Sequence, residues 1–202
     1  MQNHAMEITK KTDYNVYFAG YTENDPRPAI LNNPDIYIYP ISCKLINKLK
    51  KLPRFLYLLY AFLRIIIQIL QLTWMMIKMY PLEFIILQNP PAVPIISTLC
   101  ALGRLTGTKV IIDMHNYGFT ILNLNVKNRI IIWCAKKYEM WFAKLANNYL
   151  CVSNEMKKDL LENYGLSATV VYDKANTEVF KPLSALEKSA FREKLETEIL
   201  RE

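Results

Sequence analysis

The sequence predicts an α/β domain built on a doubly wound, mostly parallel sheet. Short β-branched and aromatic runs alternate with longer stretches of helical period. The alternation runs from about residue 14 to residue 172 without an internal repeat or a Gly/Ser linker. With 52% hydrophobic residues in 202, the chain also has enough apolar material for a full core.

Taken in order, residues 1 to 11 read as a helix that leads into a strand at 14 to 19 (YNVYFA). A doubly wound domain normally opens with a strand and a glycine-bearing turn before its first helix, so the first strand and its phosphate-facing loop are expected to be missing. Further strands are predicted at 36 to 41, 83 to 88, 108 to 113, 148 to 153 and 169 to 172. Helices are predicted at 52 to 79, 94 to 105, 125 to 146, 154 to 164 and 185 to 200. Strand, helix, strand in that order makes parallel pairs with helices on both faces.

The helix at 52 to 79 needs separate treatment, because residues 55 to 77 carry a single charge, Arg64. A transmembrane span would put strands of one sheet on opposite sides of a bilayer. Arg64, Gln68, Gln71 and Lys78 fall within an arc of about 80° on a helix, and Pro53 and Pro81 bracket the segment. The expectation is an amphipathic helix, part core and part membrane interface; the plainer alternative is a core helix buried all round.

The net charge of +7 is local. Lys44, Lys48, Lys50, Lys51, Arg54, Arg64 and Lys78 lie between Ile36 and Leu82 with no acidic residue among them, and the rest of the chain balances. Their neighbours are Leu, Ile, Phe, Met and Trp, which suit anionic lipid better than nucleic acid. Met1 is followed by polar Gln2, Asn3 and His4, so no signal peptide is expected. Cys43, Cys100, Cys134 and Cys151 have neither metal-pair nor disulfide-framework spacing, and reduced, mostly buried thiols are expected.

Ligands of open α/β sheets collect at the carboxyl ends of strands. Three such ends carry polar groups. Gln88 and Asn89 precede Pro90-Pro91, which either aims their amides into the crevice or simply stops the strand. Asp113, His115, Asn116, Tyr117 and Gly118 crowd one turn and form the best candidate active site. Asp113 or His115 could take a proton from a sugar hydroxyl, Asn116 and Tyr117 could hold neighbouring hydroxyls, and Gly118 would admit a close backbone approach. Ser153-Asn154 is first of all a helix N-cap, although such an end also favours a diphosphate. Trp133, Tyr138, Trp141 and Phe142 are read as packing. P-loop, zincin and D-x-D patterns do not occur in the sequence, so no metal ligands are assigned.

The strings QNPPAVPIISTLCALGRLTGTKVIIDMHNYGFTI, YEMWFAKLANNYLCVSNEMKKDLLENYG and TVVYDKANTEVF resemble the amino-terminal half of the chitobiosyldiphosphodolichol β-mannosyltransferase family, from about Met1 to Pro182. The resemblance implies a GT-B glycosyltransferase at the cytosolic face of the endoplasmic reticulum membrane. It would transfer the first mannose from GDP-mannose to dolichol-linked di-N-acetylglucosamine, with inversion and without a metal or other cofactor. It places Asp113 and His115 in the catalytic turn and Gln88, Asn89, Asn116, Tyr117 and Gly118 on the acceptor. The segment 44 to 80 then docks on the membrane through Lys44, Lys48, Lys50, Lys51, Arg54 and Arg64. Ala175 stands where the family usually has proline after Y-D-K. On this reading residues 1 to 182 are the acceptor-binding, membrane-docking domain, and 183 to 202 a charged helical tail at the start of a donor domain. The anchor, the first loop and the GDP-mannose-binding domain are expected to be missing, leaving a fragment inactive alone. Expected partners are the dolichol-linked oligosaccharide, the membrane surface and other glycosyltransferases of the same pathway, with no nucleic acid. The competing readings are a non-catalytic membrane adaptor in a split glycosyltransferase and a generic ligand-binding α/β module.

Overall fold

The computed structural model describes residues 1–21, 25–42, 57–173 and 182–199. Its strands are parallel throughout. They are β1 (Val16–Tyr21), β2 (Ile36–Ile41), β3 (Phe84–Asn89), β4 (Lys109–Met114), β5 (Asn148–Cys151) and β6 (Ala168–Val170). The helices are α1 (Gln2–Lys11), α2 (Pro28–Leu31), α3 (Tyr57–Met79), α4 (Ile95–Thr106), α5 (Gly118–Asn125), α6 (Arg129–Ala143), α7 (Asn154–Tyr164) and α8 (Ala185–Ile199). The α/β class with parallel pairing is as the alternation predicts. The expected single sheet is instead two: β1 pairs with β2, and β3-β4-β5-β6 form the second sheet in that order.

The core follows this division only in part, since Ile41 of β2 belongs to the main cluster, with Tyr21 and Tyr39 packed against it. The main cluster joins Leu72, Met75 and Met76 of α3, Ile96, Leu99 and Cys100 of α4, and Val110, Ile112 and Met114 of β4. A buried aliphatic side chain of this kind contributes roughly 1.5–3 kcal/mol. A separate small cluster of Ala5, Ile30 and Ile36, with Met6, Val16 and Phe18 against it, serves α1 and the two-stranded sheet. Helix α4 lies so close to β4 that a Cβ on Gly103 would stand 2.5 Å from Val110 Cγ2 and 2.9 Å from the Thr108 carbonyl. Gly107 and Gly165 end α4 and α7 in the left-handed conformation, at φ 77° and 71°.

Several local expectations change. The helix expected over 125 to 146 is shorter, Arg129–Ala143, because the Asn128 side chain accepts from Ile130 N–H and Ile131 N–H and starts α6 there, and the preceding helix α5, Gly118–Asn125, is not among the expected helices. The strand from 148 stops at Cys151, since Ser153 caps α7 by accepting from Met156 N–H at 3.1 Å. The polar arc of α3 divides. Gln68 turns inward and donates to the Tyr21 hydroxyl at 3.0 Å, Gln71 donates to the Ser42 carbonyl at 2.8 Å, and Lys78 stays exposed. The face of α3 turned to solvent is apolar, with Leu59, Phe62, Leu70, Trp74 and Ile77 each more than half exposed. Trp133 and Trp141 are likewise exposed and are not core, although Tyr138 and Phe142 do pack, at 4.8 Å between rings. Of the described cysteines, Cys100 and Cys151 are buried free thiols, with Cys100 pushed up to about 12 by burial, whereas Cys134 is exposed.

Residues 1–171 form one compact unit and 172–202 a second. In the second, Ser184 and Glu187 make a reciprocal cap at the start of α8: Ser184 N–H donates to Glu187 Oε2 at 2.8 Å and Glu187 N–H to Ser184 Oγ at 3.3 Å.

The approach of α4 to β4 yields a test. Gly103→Ala should cost about 1–3 kcal/mol by overpacking against a β-branched neighbour and a fixed carbonyl. Chemical denaturation would read this as a lower midpoint, and an unchanged midpoint would contradict the close approach.

Candidate functional site

The register Gln88 opposite Asp113, and Asn89 opposite Met114, sets the carboxyl ends of β3 and β4 side by side. Because β4 is an interior strand, Asp113 is only 1% exposed. A carboxylate there needs donors. It has two: His115 Nε2 lies 2.8 Å and His4 Nε2 3.2 Å from Asp113 Oδ2. An ionised carboxylate only accepts, so each ring nitrogen facing it carries a proton. His4 reaches the site from α1, and no motif in the sequence pointed to it; 109 residues separate it from Asp113.

A second buried acid organises the turn, and sequence reasoning missed it as well. Glu139 of α6, 1% exposed, accepts from Asn89 Nδ2 at 2.7 Å and Gly118 N–H at 2.9 Å through Oε1, and from Phe119 N–H at 2.9 Å through Oε2. The carboxylate thereby satisfies two amides at the start of α5. Burial raises the Glu139 carboxyl above its ordinary range, and the three donors pull it part of the way back. The side-chain amide of Asn89 also donates to the Asn116 carbonyl at 3.2 Å, and the backbone carbonyl of Asn89 accepts from His115 N–H at 3.0 Å. Gly118 is small for a steric reason, since a Cβ would come within 2.9 Å of Glu139 Oε2 and 3.1 Å of Ala92.

Asp113, His115, Asn89 and Gly118 therefore meet in one hydrogen-bonded constellation at the two strand ends. Gln88 is half-buried beside it and the Asn116 side chain is exposed. Tyr117 turns the other way: its hydroxyl donates to Asp159 of α7, and its ring stacks on Phe119 at 5.2 Å. Burial, reinforced by Asp159, raises the Tyr117 phenol well above its usual value. Lys136 lies over Phe119 at 5.5 Å and over Tyr164 at 5.2 Å, closing that aromatic group. Arg64 is half-buried on α3, while Lys44, Lys48, Lys50, Lys51 and Arg54 lie outside the described residues. Among the described residues no group of three or more His, Cys, Asp or Glu is arranged to hold a metal ion.

The Glu139 network predicts that Glu139→Gln destabilises the chain by about 1.5–3 kcal/mol, because an amide sets its own N–H₂ against one of the three donors. Thermal melting of the purified variant checks this, and an unchanged melting temperature would contradict the network.

No protein-family model matches the chain. Curated relatives do. The chain is 36% identical over 204 residues to the chitobiosyldiphosphodolichol beta-mannosyltransferase of Dictyostelium discoideum, covering 95% of this chain and 41% of that protein. It is 35% identical to the mouse protein of the same name, over 86% of this chain and 35% of the relative. The UDP-glycosyltransferase TURAN of Arabidopsis thaliana is 29% identical over 90% of this chain. The chain thus spans about two fifths of the length of the relatives it matches. Over nearly its whole length it is homologous to a part of the proteins named chitobiosyldiphosphodolichol beta-mannosyltransferase.

Proposed function

We propose that residues 1–171 supply the acceptor side and the membrane-docking surface of a mannosyltransferase. The enzyme moves mannose from GDP-mannose to chitobiosyldiphosphodolichol at the cytosolic face of the endoplasmic reticulum. The observation that carries this reading is the pairing of Asp113 with His115 at the carboxyl end of β4, in a chain similar to proteins so named. Transfer to a sugar hydroxyl requires that oxygen to lose its proton as it bonds the anomeric carbon, while the bond from that carbon to the diphosphate oxygen breaks. Of the two candidates, Asp113 lies too deep to meet an acceptor, its side chain being 2% exposed against 19% for His115. His115 therefore takes the proton, and Asp113 orients its ring and stabilises the imidazolium that forms. Glu139 and Asn89 hold the turn on which His115 rides. The donor-binding groups lie outside residues 1–202.

The membrane part of the reading rests on α3. Its exposed apolar stripe, Leu59, Phe62, Leu70, Trp74 and Ile77, faces away from the core formed by Leu72, Met75 and Met76, as an interfacial helix requires. The cationic residues 44 to 54 precede it in sequence and suit anionic headgroups.

Three measurements test the proposal. In an active enzyme that contains this chain, His115→Ala and Asp113→Asn should each lower kcat by about a hundredfold or more at unchanged melting temperature; full turnover in either would remove that residue from the mechanism. The 202-residue chain alone should show no GDP binding by calorimetry. The double substitution Leu70→Ser, Trp74→Ser should weaken sedimentation with phosphatidylserine vesicles by about tenfold or more, and unchanged sedimentation would take α3 off the membrane.

A further inference from the structure

All three tryptophans of the chain lie at the surface: Trp74, Trp133 and Trp141 are 62%, 60% and 64% exposed. A side chain of that size is ordinarily among the more buried of a domain. Trp74 belongs to the apolar side of α3 already described. Trp133 and Trp141 stand on α6, on a side that the chemistry proposed for the strand ends does not use. At 100° per residue Ile130, Trp133, Lys137, Trp141 and Lys144 fall within an arc of about 80°, all of them exposed, whereas Glu139 points the opposite way into the core. Ile121 and Leu124 of α5, which packs on α6, are exposed as well.

The exposed charge of this hairpin has one sign. Between Asp113 and Glu155 the sequence holds a single acid, Glu139, and that carboxylate is buried and engaged by Asn89, Gly118 and Phe119. Lys127, Arg129, Lys136, Lys137 and Lys144 are all exposed. The Lys137 ammonium lies over the Trp133 ring at 5.9 Å, so a cation and an indole share one spot of the surface. The next helix, α7, is an ordinary solvated one by comparison: Glu155 and Glu162 offset Lys157 and Lys158 there.

We propose that the α5–α6 hairpin is a second membrane-docking surface, seated on anionic lipid with Trp133 and Trp141 at the level of the headgroups. Indole rings favour the bilayer interface, where the body of the ring is apolar and its N–H meets water. Lys137 and Lys144 reach lipid phosphates with their ammonium groups while their methylenes stay beside the rings. A protein partner would bury the same lysines in the middle of an interface, where charge is depleted. A second copy of this surface would set cations against cations, with no exposed acid of the hairpin to pair them. Two connections tie the docking to the site. Helix α4 packs against both α3 and α6, so the three tryptophans come from one helical layer. Gly118 opens α5 just after His115, and Glu139 of α6 holds the Gly118 amide. A hairpin resting on lipid therefore sets the depth at which His115 meets an acceptor carried on a lipid diphosphate. The hairpin deepens the membrane reading of α3 and rests on it for the kind of surface met, while its tryptophans report separately from Trp74.

Tryptophan emission from the 202-residue chain tests this. Trp74→Phe leaves only the hairpin tryptophans, and Trp133→Phe with Trp141→Phe leaves only Trp74. Vesicles of phosphatidylcholine and phosphatidylserine with brominated acyl chains should shift the hairpin emission to the blue and quench it about twofold or more. Absence of quenching there would overturn the proposal, and quenching of Trp74 alone would leave α3 as the membrane contact without the hairpin. Quenching of the hairpin with Trp74 untouched would uphold the proposal and take α3 off the membrane instead. Trp133→Ser with Trp141→Ser should leave the melting temperature unchanged, both side chains being exposed, and weaken sedimentation with these vesicles by about tenfold or more. Lys137→Gln with Lys144→Gln should weaken sedimentation about tenfold with phosphatidylserine present and less than about twofold on phosphatidylcholine alone. Equal loss on both lipids would overturn the assignment to an anionic surface. A hairpin emission that shifts with protein concentration and not with vesicles would assign the surface to a second copy of the chain and overturn the proposal.

Discussion

The end of the sheet where the chemistry is proposed depends on a carboxylate held in the dry interior. Glu139 sits on α6 with almost no contact with water, yet it ties two other pieces of chain to that helix: the end of β3 through Asn89, and the first two amides of α5 through Gly118 and Phe119. A buried charge of this kind is tolerable only when its oxygens are fully engaged. The requirement works in both directions. The acid draws the turn after β4 onto α6, and the turn must present bare amides and a side-chain-free Gly118 to receive it.

The position of His115 follows from that arrangement. Its own backbone amide is fixed by the Asn89 carbonyl, and its ring is fixed by Asp113. Both anchors belong to adjacent strands in register, so the imidazole is oriented by the sheet and not by a free loop. Preorganisation of this sort matters for proton transfer, which depends on hydrogen-bonding geometry before it depends on acidity.

On the opposite flank the fold is less closed. None of the residues of β1 is buried, although its sequence VYFAGY is as apolar as that of an interior strand. Helix α3 bridges the two sheets by bonding Tyr21 and Ser42 with its inward glutamines, leaving its apolar side outward. The edge of the main core, one small cluster and one polar bridge hold this flank where a continuous sheet would ordinarily do so.

The sequence by itself determined the class of fold, the positions of the strands and the strand end that matters, because those depend on local period and on side chains within one turn of each other. Residues 36 to 41 begin and end as a strand where the apolar run does, and Asp113 to Gly118 are neighbours in the chain as well as in space. The resemblance in its motifs carried the family. What only the tertiary structure decided are the partners brought from far away. His4 and Glu139 lie on helices with no distinguishing spacing, and nothing local marks one histidine or one glutamate as the residue that will meet a strand end. The inward turn of Gln68 and Gln71, and the division of the sheet beside β1, were likewise hidden, since an arc on a helix does not state which side the protein occupies, and strand runs do not state which edges meet.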